Sequence, residues 1–150
     1  MTDSVQKPIG LGADHAGFAL KEALKKALTG WNVAFEDLGT HDEQSTDYPD
    51  YAHAVASGIT SGRFRLGVLV CGTGYGMSMA ANRHPGVRAA CCTEAFGARM
   101  ARQHNDANVL CIGSRIVGSS VAEDLLKSFL DAKFEGGRHA RRVAKIDSGA

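Results

Sequence analysis

The stretch Leu66-Gly67-Val68-Leu69-Val70-Cys71-Gly72-Thr73-Gly74-Tyr75-Gly76-Met77-Ser78-Met79 decides how the rest of the chain is read. Val68-Leu69-Val70 is short, apolar and partly β-branched, the signature of a buried strand. The run stops at Cys71. Gly72, Gly74 and Gly76 then alternate with Thr73 and Tyr75, and a helix is expected from there to about Asn82. Glycines at this spacing allow backbone angles that a Cβ discourages. A loop of this kind opening a helix leaves backbone N–H groups without partners and aimed outward. It can cradle negative charge, with one thiol at its lip. A tight packing turn between strand and helix would use the same glycines. The pattern alone leaves both readings open.

On either side, strand and helix patterns alternate. Residues 8–13 read as a strand, and Asp14-His15-Ala16-Gly17 as a turn into a helix whose apolar side carries Leu20, Leu24 and Leu28. Gly30 stops that helix. A second strand spans Asn32 to Leu38, and Gly39 to Asp47 is a polar loop. Asp47-Tyr48-Pro49-Asp50 starts a helix with Ala52, Val55, Ala56 and Ile59 inward. Beyond the glycine loop, Val87 to Cys92 is a strand, Thr93 caps a helix carrying Ala95, Phe96 and Met100, and Asn108 to Ile112 is the fifth strand. Ser120-Val121-Ala122-Glu123 reads as a capping box ahead of a helix burying Val121, Leu125, Phe129 and Leu130. The expected fold is α/β. It is a doubly wound, Rossmann-like, five-stranded parallel sheet of order 2-1-3-4-5, with helices on both faces. One domain covers 1–150, with a core of about 7–131 and a basic C-terminal tail of about 132–150.

Bulk properties fit a soluble globular chain. Of 150 residues, 44% are apolar and 22% charged. A formal net charge of +1 provides no basic field for nucleic acid. No apolar run approaches the roughly 18 residues of a membrane span, and Met1-Thr2-Asp3-Ser4 lacks a signal-peptide layout. A cytoplasmic protein is expected, with no membrane or nucleic-acid partner. The four cysteines form no C-x-x-C pair. Cys91, Cys92 and Cys111 read as small buried hydrophobes. Cys71 stands apart because glycines follow it at once.

In a sheet of this kind ligands bind at the carboxyl ends of the strands, near the switch in strand order. Asp14-His15, Cys71-Gly72-Thr73 and Gly113-Ser114-Arg115 all fall there. His104-Asn105 precedes strand five and so lies at the opposite edge, from which it could reach a neighbouring subunit. The glycine loop is no dinucleotide fingerprint, since position 77 is methionine. It is no Walker loop either, lacking Gly-Lys-Ser/Thr, and no arginine closes it as in a cysteine phosphatase. Asp14-His15 reads as a metal pair, a catalytic pair or a cap, and no second histidine stands at ligand spacing from it. His104 is either a solvated turn residue or an acid/base group. His41, His53 and His84 read as structural or surface residues. Arg138 and Arg142 are four apart, so on a helical turn they share a face and could clamp one phosphate; otherwise they belong to a solvated basic run.

Several segments together resemble the ribose-5-phosphate isomerase B family, within the wider group that includes galactose-6-phosphate isomerase. They are Gly12-Ala13-Asp14-His15-Ala16-Gly17, Thr46-Asp47-Tyr48-Pro49, Cys71-Gly72-Thr73-Gly74, Ala80-Ala81-Asn82-Arg83, Arg102-Gln103-His104-Asn105-Asp106, Gly113-Ser114-Arg115 and Glu135-Gly136-Gly137-Arg138-His139. They run in the family's order across nearly the whole chain. The resemblance implies an aldose–ketose isomerase of a sugar phosphate, foremost ribose 5-phosphate and ribulose 5-phosphate, without metal or cofactor. It implies a homodimer or homotetramer with shared active sites. Carried over, Cys71 is the base and His104 and Thr73 are further catalytic groups. Asp14, His15, Tyr48, Gly72, Gly74 and Gly76 form the pocket. His104, Asn105 and Arg115 come from the partner, and Arg138 and Arg142, with His15 nearby, hold the phosphate. Some relatives place a glutamate base later in the loop, where this chain has Tyr75-Gly76-Met77. Allose 6-phosphate, galactose 6-phosphate or a tetrose phosphate are alternative substrates. A non-catalytic sugar-phosphate binder on the same fold is a third reading.

The chemistry fits these residue types. Isomerisation moves a proton between C2 and C1 through an enediolate. A free thiol has a pKa of about 8.5, which a helix N-terminus lowers, so Cys71 can act as a thiolate near neutral pH. Preorganised N–H groups can stabilise the enediolate oxygen by about 3 kcal/mol each. The sugar ring must first open, for which His104 has a suitable pKa range.

Overall fold

The structure is a computed structural model that describes residues 6–149. Its elements follow the expected alternation: β1 (Ile9–Ala13), α1 (Phe18–Gly30), β2 (Phe35–Asp37), α2 (Tyr48–Thr60), β3 (Gly67–Cys71), α3 (Tyr75–Ala81), β4 (Ala89–Cys91), α4 (Ala95–Asn105), β5 (Val109–Gly113), α5 (Ser119–Asp131) and α6 (Arg138–Ser148). All five strands are parallel.

The strand order is β2-β1-β3-β5-β4, not the expected 2-1-3-4-5. The chain steps outward from β3 to β4 and then back, so β5 slots between them. Burial explains the arrangement. Val109-Leu110-Cys111-Ile112 is apolar on both faces and wholly buried, as a central parallel strand should be. β4 has three half-buried residues and suits an edge. Crossovers in parallel sheets are right-handed, so the direction of each step selects the face on which its helix lies. The crossovers through α1 and α4 step one way, and those through α2 and α3 step the other. Accordingly α1 and α4, joined by α5, bury Leu20, Leu24, Leu28, Ala98, Leu125, Leu126 and Phe129 in one core. Helices α2 and α3 bury Ala52, Val55, Ala56, Met77 and Ala81 in the other.

Helix ends depart from expectation in three places. Glu94, not Thr93, caps α4, its carboxylate accepting the Gly97 N–H at 2.8 Å. The proposed capping box does not form: α5 starts at Ser119 behind Gly118 and has no side-chain cap. Its buried stripe is Ala122, Leu125, Leu126 and Phe129, at i, i+3, i+4 and i+7, which leaves Val121 45% exposed. The segment read as a basic tail contains helix α6. Gly136 and Gly137 take positive φ to turn into it, and His139 and Val143, four apart, bury one face. This helix packs on α4.

The sequence reading also passed over Lys21, which is 1% exposed on α1. Its ammonium meets Asp37, at the end of β2, at 2.6 Å, and Lys25 joins them at 2.8 Å. Burial pushes the Asp37 carboxyl up, but hydrogen bonds from Lys21, Lys25 and the Gly39 N–H outweigh it and hold the carboxyl down to about 2.

Candidate active site

The register brings three strand ends into line. Ala13 pairs with Val70, and Cys71 with Gly113, so β1, β3 and β5 finish side by side. The chain leaves β1 and β3 in opposite directions along the sheet, which makes the crevice between them the topological switch point. Hydrogen bonds lock the three loops together there. Asp14 N–H donates to Val70 C=O at 3.3 Å, Ser114 N–H to Cys71 C=O at 2.8 Å, and Arg115 N–H to Gly72 C=O at 3.0 Å. The Ser114 hydroxyl reaches Ala16 C=O at 2.8 Å. Ser114 entered the sequence reading only as part of the strand end Gly113-Ser114-Arg115, and the fold shows what it ties.

A cavity of about 340 Å³ opens over this junction, lined by Asp14, His15, Ala16, Tyr48, Cys71, Gly72, Thr73, Gly76 and Arg115. A larger one, about 520 Å³, lies elsewhere, between the α3–β4 connection, Asn105 and Ile146. It contains neither a thiol nor the glycine loop, so the smaller cavity is where the chemistry can occur.

Cys71 is 4% exposed and forms part of the wall of the smaller cavity. The Gly74 N–H donates to its sulfur at 3.1 Å. Gly74 has φ +83°, a left-handed conformation that favours glycine. A Cβ on Gly76 would lie 2.5 Å from the Tyr48 ring, so the absence of a side chain there lets Tyr48 close over the loop. The N–H groups of Gly72, Thr73 and Gly76 find no acceptor among the described residues. Tyr75 N–H donates to the Thr73 hydroxyl oxygen at 3.3 Å, which leaves the hydroxyl proton free to donate into the cavity.

The other thiols differ. Burial pushes the Cys92 thiol up to about 11, and it raises Cys91 and, well above the ordinary range, the fully buried Cys111. Those three stay protonated. All four cysteines are free.

Asp14 shapes the turn ahead of α1, whose N-cap is Gly17 and which has no side-chain cap. The Asp14 Oδ1 accepts the Gly17 N–H at 3.0 Å, and the residue lines the cavity. His15 Nδ1 accepts the Thr46 backbone N–H at 3.1 Å. An accepting nitrogen carries no proton, so the neutral ring presents Nε2–H as a donor. Thr46 was noticed only through the family motif; its role here is to orient that ring.

Arg115 corrects an expectation. The resemblance implied that it comes from a partner, but it lines the cavity beside this chain's own Cys71. A Cβ on Gly72 would lie 3.3 Å from its guanidinium. The remaining residues are not brought to the cavity. His104 and Asn105 end α4, at the amino edge of the sheet. Arg138 and Arg142 are exposed on α6. His104 stacks on His139 with ring centroids 4.3 Å apart and 10° between planes. His53 and His84, read as structural or surface residues, share a 2.7 Å hydrogen bond, His53 exposed and His84 half-buried.

Comparison with known proteins agrees with this geometry. Residues 9–146 match the Ribose/Galactose Isomerase family. The chain is 46% identical over 140 residues to ribose-5-phosphate isomerase B of Escherichia coli, covering 93% of this chain and 94% of that one. Among solved structures, ribose-5-phosphate isomerase B of Clostridium thermocellum superposes with a TM-score of 0.93 at 48% identity, over 94% of this chain and 95% of that one. The Mycoplasma genitalium enzyme, solved with bound ribulose-5-phosphate, gives 0.90 at 42% identity over 95% of each chain. With a thiol, open loop amides and two cationic or donor side chains gathered at the switch point, and a match spanning almost every residue, the chain belongs to the ribose/galactose isomerase family.

Proposed function

We propose that this chain interconverts ribose 5-phosphate and ribulose 5-phosphate with Cys71 as the base. The observation carrying the reading is the Cys71 sulfur on the wall of the same cavity as the unpaired Gly72, Thr73 and Gly76 amides. The Cys71 thiolate takes the proton from C2 of the open-chain aldose. The electron pair moves to form the C1–C2 enediolate, and the negative charge on its oxygen meets the loop N–H groups and the Thr73 hydroxyl. The proton returns to C1 from the same sulfur, and the O2 hydroxyl proton passes to O1, giving the ketose. Asp14, Tyr48 and Gly74 shape the pocket around the reacting carbons. The His15 Nε2–H and Arg115 provide donors at its rim.

Ring opening and phosphate binding need the residues that lie outside this cavity, so a second copy completes the site. Its His104 shuttles the ring-oxygen proton, its Asn105 holds a sugar hydroxyl, and its Arg138 and Arg142 clamp the phosphate. Support comes from the side chains a partner would cover: Tyr75, Met79, Phe96 and Ile146 are 55%, 71%, 61% and 56% exposed. The chain works as one isomerase domain in a homodimer or homotetramer, without a cofactor, on a small sugar phosphate rather than nucleic acid or membrane. No helix among the described residues is long and apolar enough to cross a membrane. Four free thiols suit the reducing cytoplasm.

The test is turnover of the purified chain on a panel of ribose 5-phosphate, allose 6-phosphate, galactose 6-phosphate and a tetrose phosphate. The expected result is the highest kcat/KM on ribose 5-phosphate. Preference for a hexose or tetrose phosphate overturns the substrate, and binding without turnover overturns the enzyme.

A further inference from the structure

His104 at the end of α4, Glu135 in the loop between α5 and α6, and His139 on α6 form a cluster that isomerisation does not fully use. Their candidate ligand atoms all lie within 4.8 Å of one another, the one such group of three among the described residues. The side chains do not satisfy each other. His139 Nε2 is 3.9 Å from the Glu135 carboxylate, too long for a hydrogen bond. The two imidazoles stack face to face without exchanging a proton. His139 is only 7% exposed, so its ring is held in place.

The scaffold is also fixed. Glu135 N–H donates to Gln103 C=O at 3.0 Å, which ties the loop to the residue preceding His104. His139 N–H donates to Gly136 C=O at 3.1 Å. We propose that His104, Glu135 and His139 form a binding site for a borderline transition-metal ion such as Zn²⁺ or Co²⁺, whose occupancy takes His104 out of use. Two imidazoles and one carboxylate are the donor set such ions prefer, and three protein ligands leave a fourth position open. Around an ion with bonds of about 2.0–2.2 Å, tetrahedral donors lie about 3.3 Å apart. The present spacing exceeds that by up to about 1.5 Å, which turning the half-buried His104 and the exposed Glu135 side chains toward the fixed His139 ring would close. Arg138 and Arg142 oppose a cation there, and the Glu135 carboxylate offsets part of that repulsion.

The site itself does not depend on the catalytic reading; its inhibitory consequence does, because it rests on His104 opening the sugar ring. The full chain is titrated with Co²⁺ and followed by visible absorption. The expected result is one ion per chain with a four- or five-coordinate spectrum and no sulfur-to-cobalt charge transfer. Glu135→Gln, at an exposed position that does not threaten the fold, and His139→Gln should each weaken binding by at least about tenfold. A thiolate band, or unchanged affinity in Glu135→Gln, overturns the site. In a parallel assay Zn²⁺ should inhibit wild-type isomerisation and a chelator should restore it, while Glu135→Gln stays active and resistant. Cobalt bound as described without zinc inhibition keeps the site and overturns the role given to His104.

Discussion

The two edges of the sheet contrast sharply. At the carboxyl edge, three parallel strands end in register, and their loops gather a thiol, open amides, an oriented imidazole and a guanidinium within one chain. At the amino edge and on α6, His104, Asn105, Arg138 and Arg142 have chemistry to offer and no cavity with a base to offer it to. A βα unit places its loop at the carboxyl end of each strand, so one chain can build proton abstraction unaided. On the proposed reading, acid–base help and phosphate clamping at the amino edge serve another copy.

The largest expected effect lies at the carboxyl edge. Cys71→Ala should lower kcat by at least about 10²–10⁴-fold, while circular dichroism and thermal melting stay near wild type. Cys91→Ala should leave turnover close to wild type, because burial raises that thiol and keeps it protonated. Substantial turnover by purified Cys71→Ala would remove the base from this edge.

Next in size is a test of the division itself. Cys71→Ala and His104→Asn should each be nearly inactive alone. If the proposed dimer with shared sites holds, unfolding them together in equal amounts and refolding puts half of the population in mixed dimers, each with one site free of both changes. Activity should recover to about a quarter of wild type. A mixture that stays inactive means that His104 does not serve a neighbour's cavity.

The contrast also explains what could be read from the sequence. The carboxyl edge was legible because local patterns determine it: a strand ending in Cys71, glycines immediately after, and Asp14-His15 and Ser114-Arg115 at equivalent strand ends. The order of β4 and β5 was not legible from alternation, since either order gives the same string of elements. The signal that could have decided it was the unbroken apolar run of β5 against the three short residues of β4. Arg115 was assigned to a partner by resemblance, whereas the Arg115 N–H bond to Gly72 C=O holds its backbone at this chain's own loop. α6 was hidden because nine of its eleven residues face outward, leaving only His139 and Val143 to mark a face. The Lys21–Asp37 pair was hidden for a different reason. Its partners are 16 residues apart, and lysine is rarely found fully buried.

That pair provides the smallest effect and a way to sharpen the contrast. The Asp37 carboxylate also accepts the Gly39 N–H at 2.9 Å, and Gly39 C=O accepts the Ala13 N–H at 2.7 Å, so the ion cluster braces the loop beside Asp14. Asp37 is depressed from 3.8 to about 2 in the folded chain. A depressed carboxylate stabilises the fold above its unfolded pKa, and that stabilisation is lost as pH falls through the folded value. The contribution should thus be complete above about pH 4 and disappear toward pH 2. Partial exposure and solvent screening reduce it to about 1–2 kcal/mol. Melting temperature measured from pH 5 to pH 2 should fall more steeply in wild type than in Asp37→Asn, which starts lower because it leaves Lys21 buried without its anion. Hydrogen exchange at residues 37–40 should quicken toward pH 2 in wild type and be fast across the whole range in Asp37→Asn, while exchange along α4 is alike in the two chains. Parallel loss at both edges would mean that the ion cluster stabilises the whole sheet rather than the strand ends that carry the base.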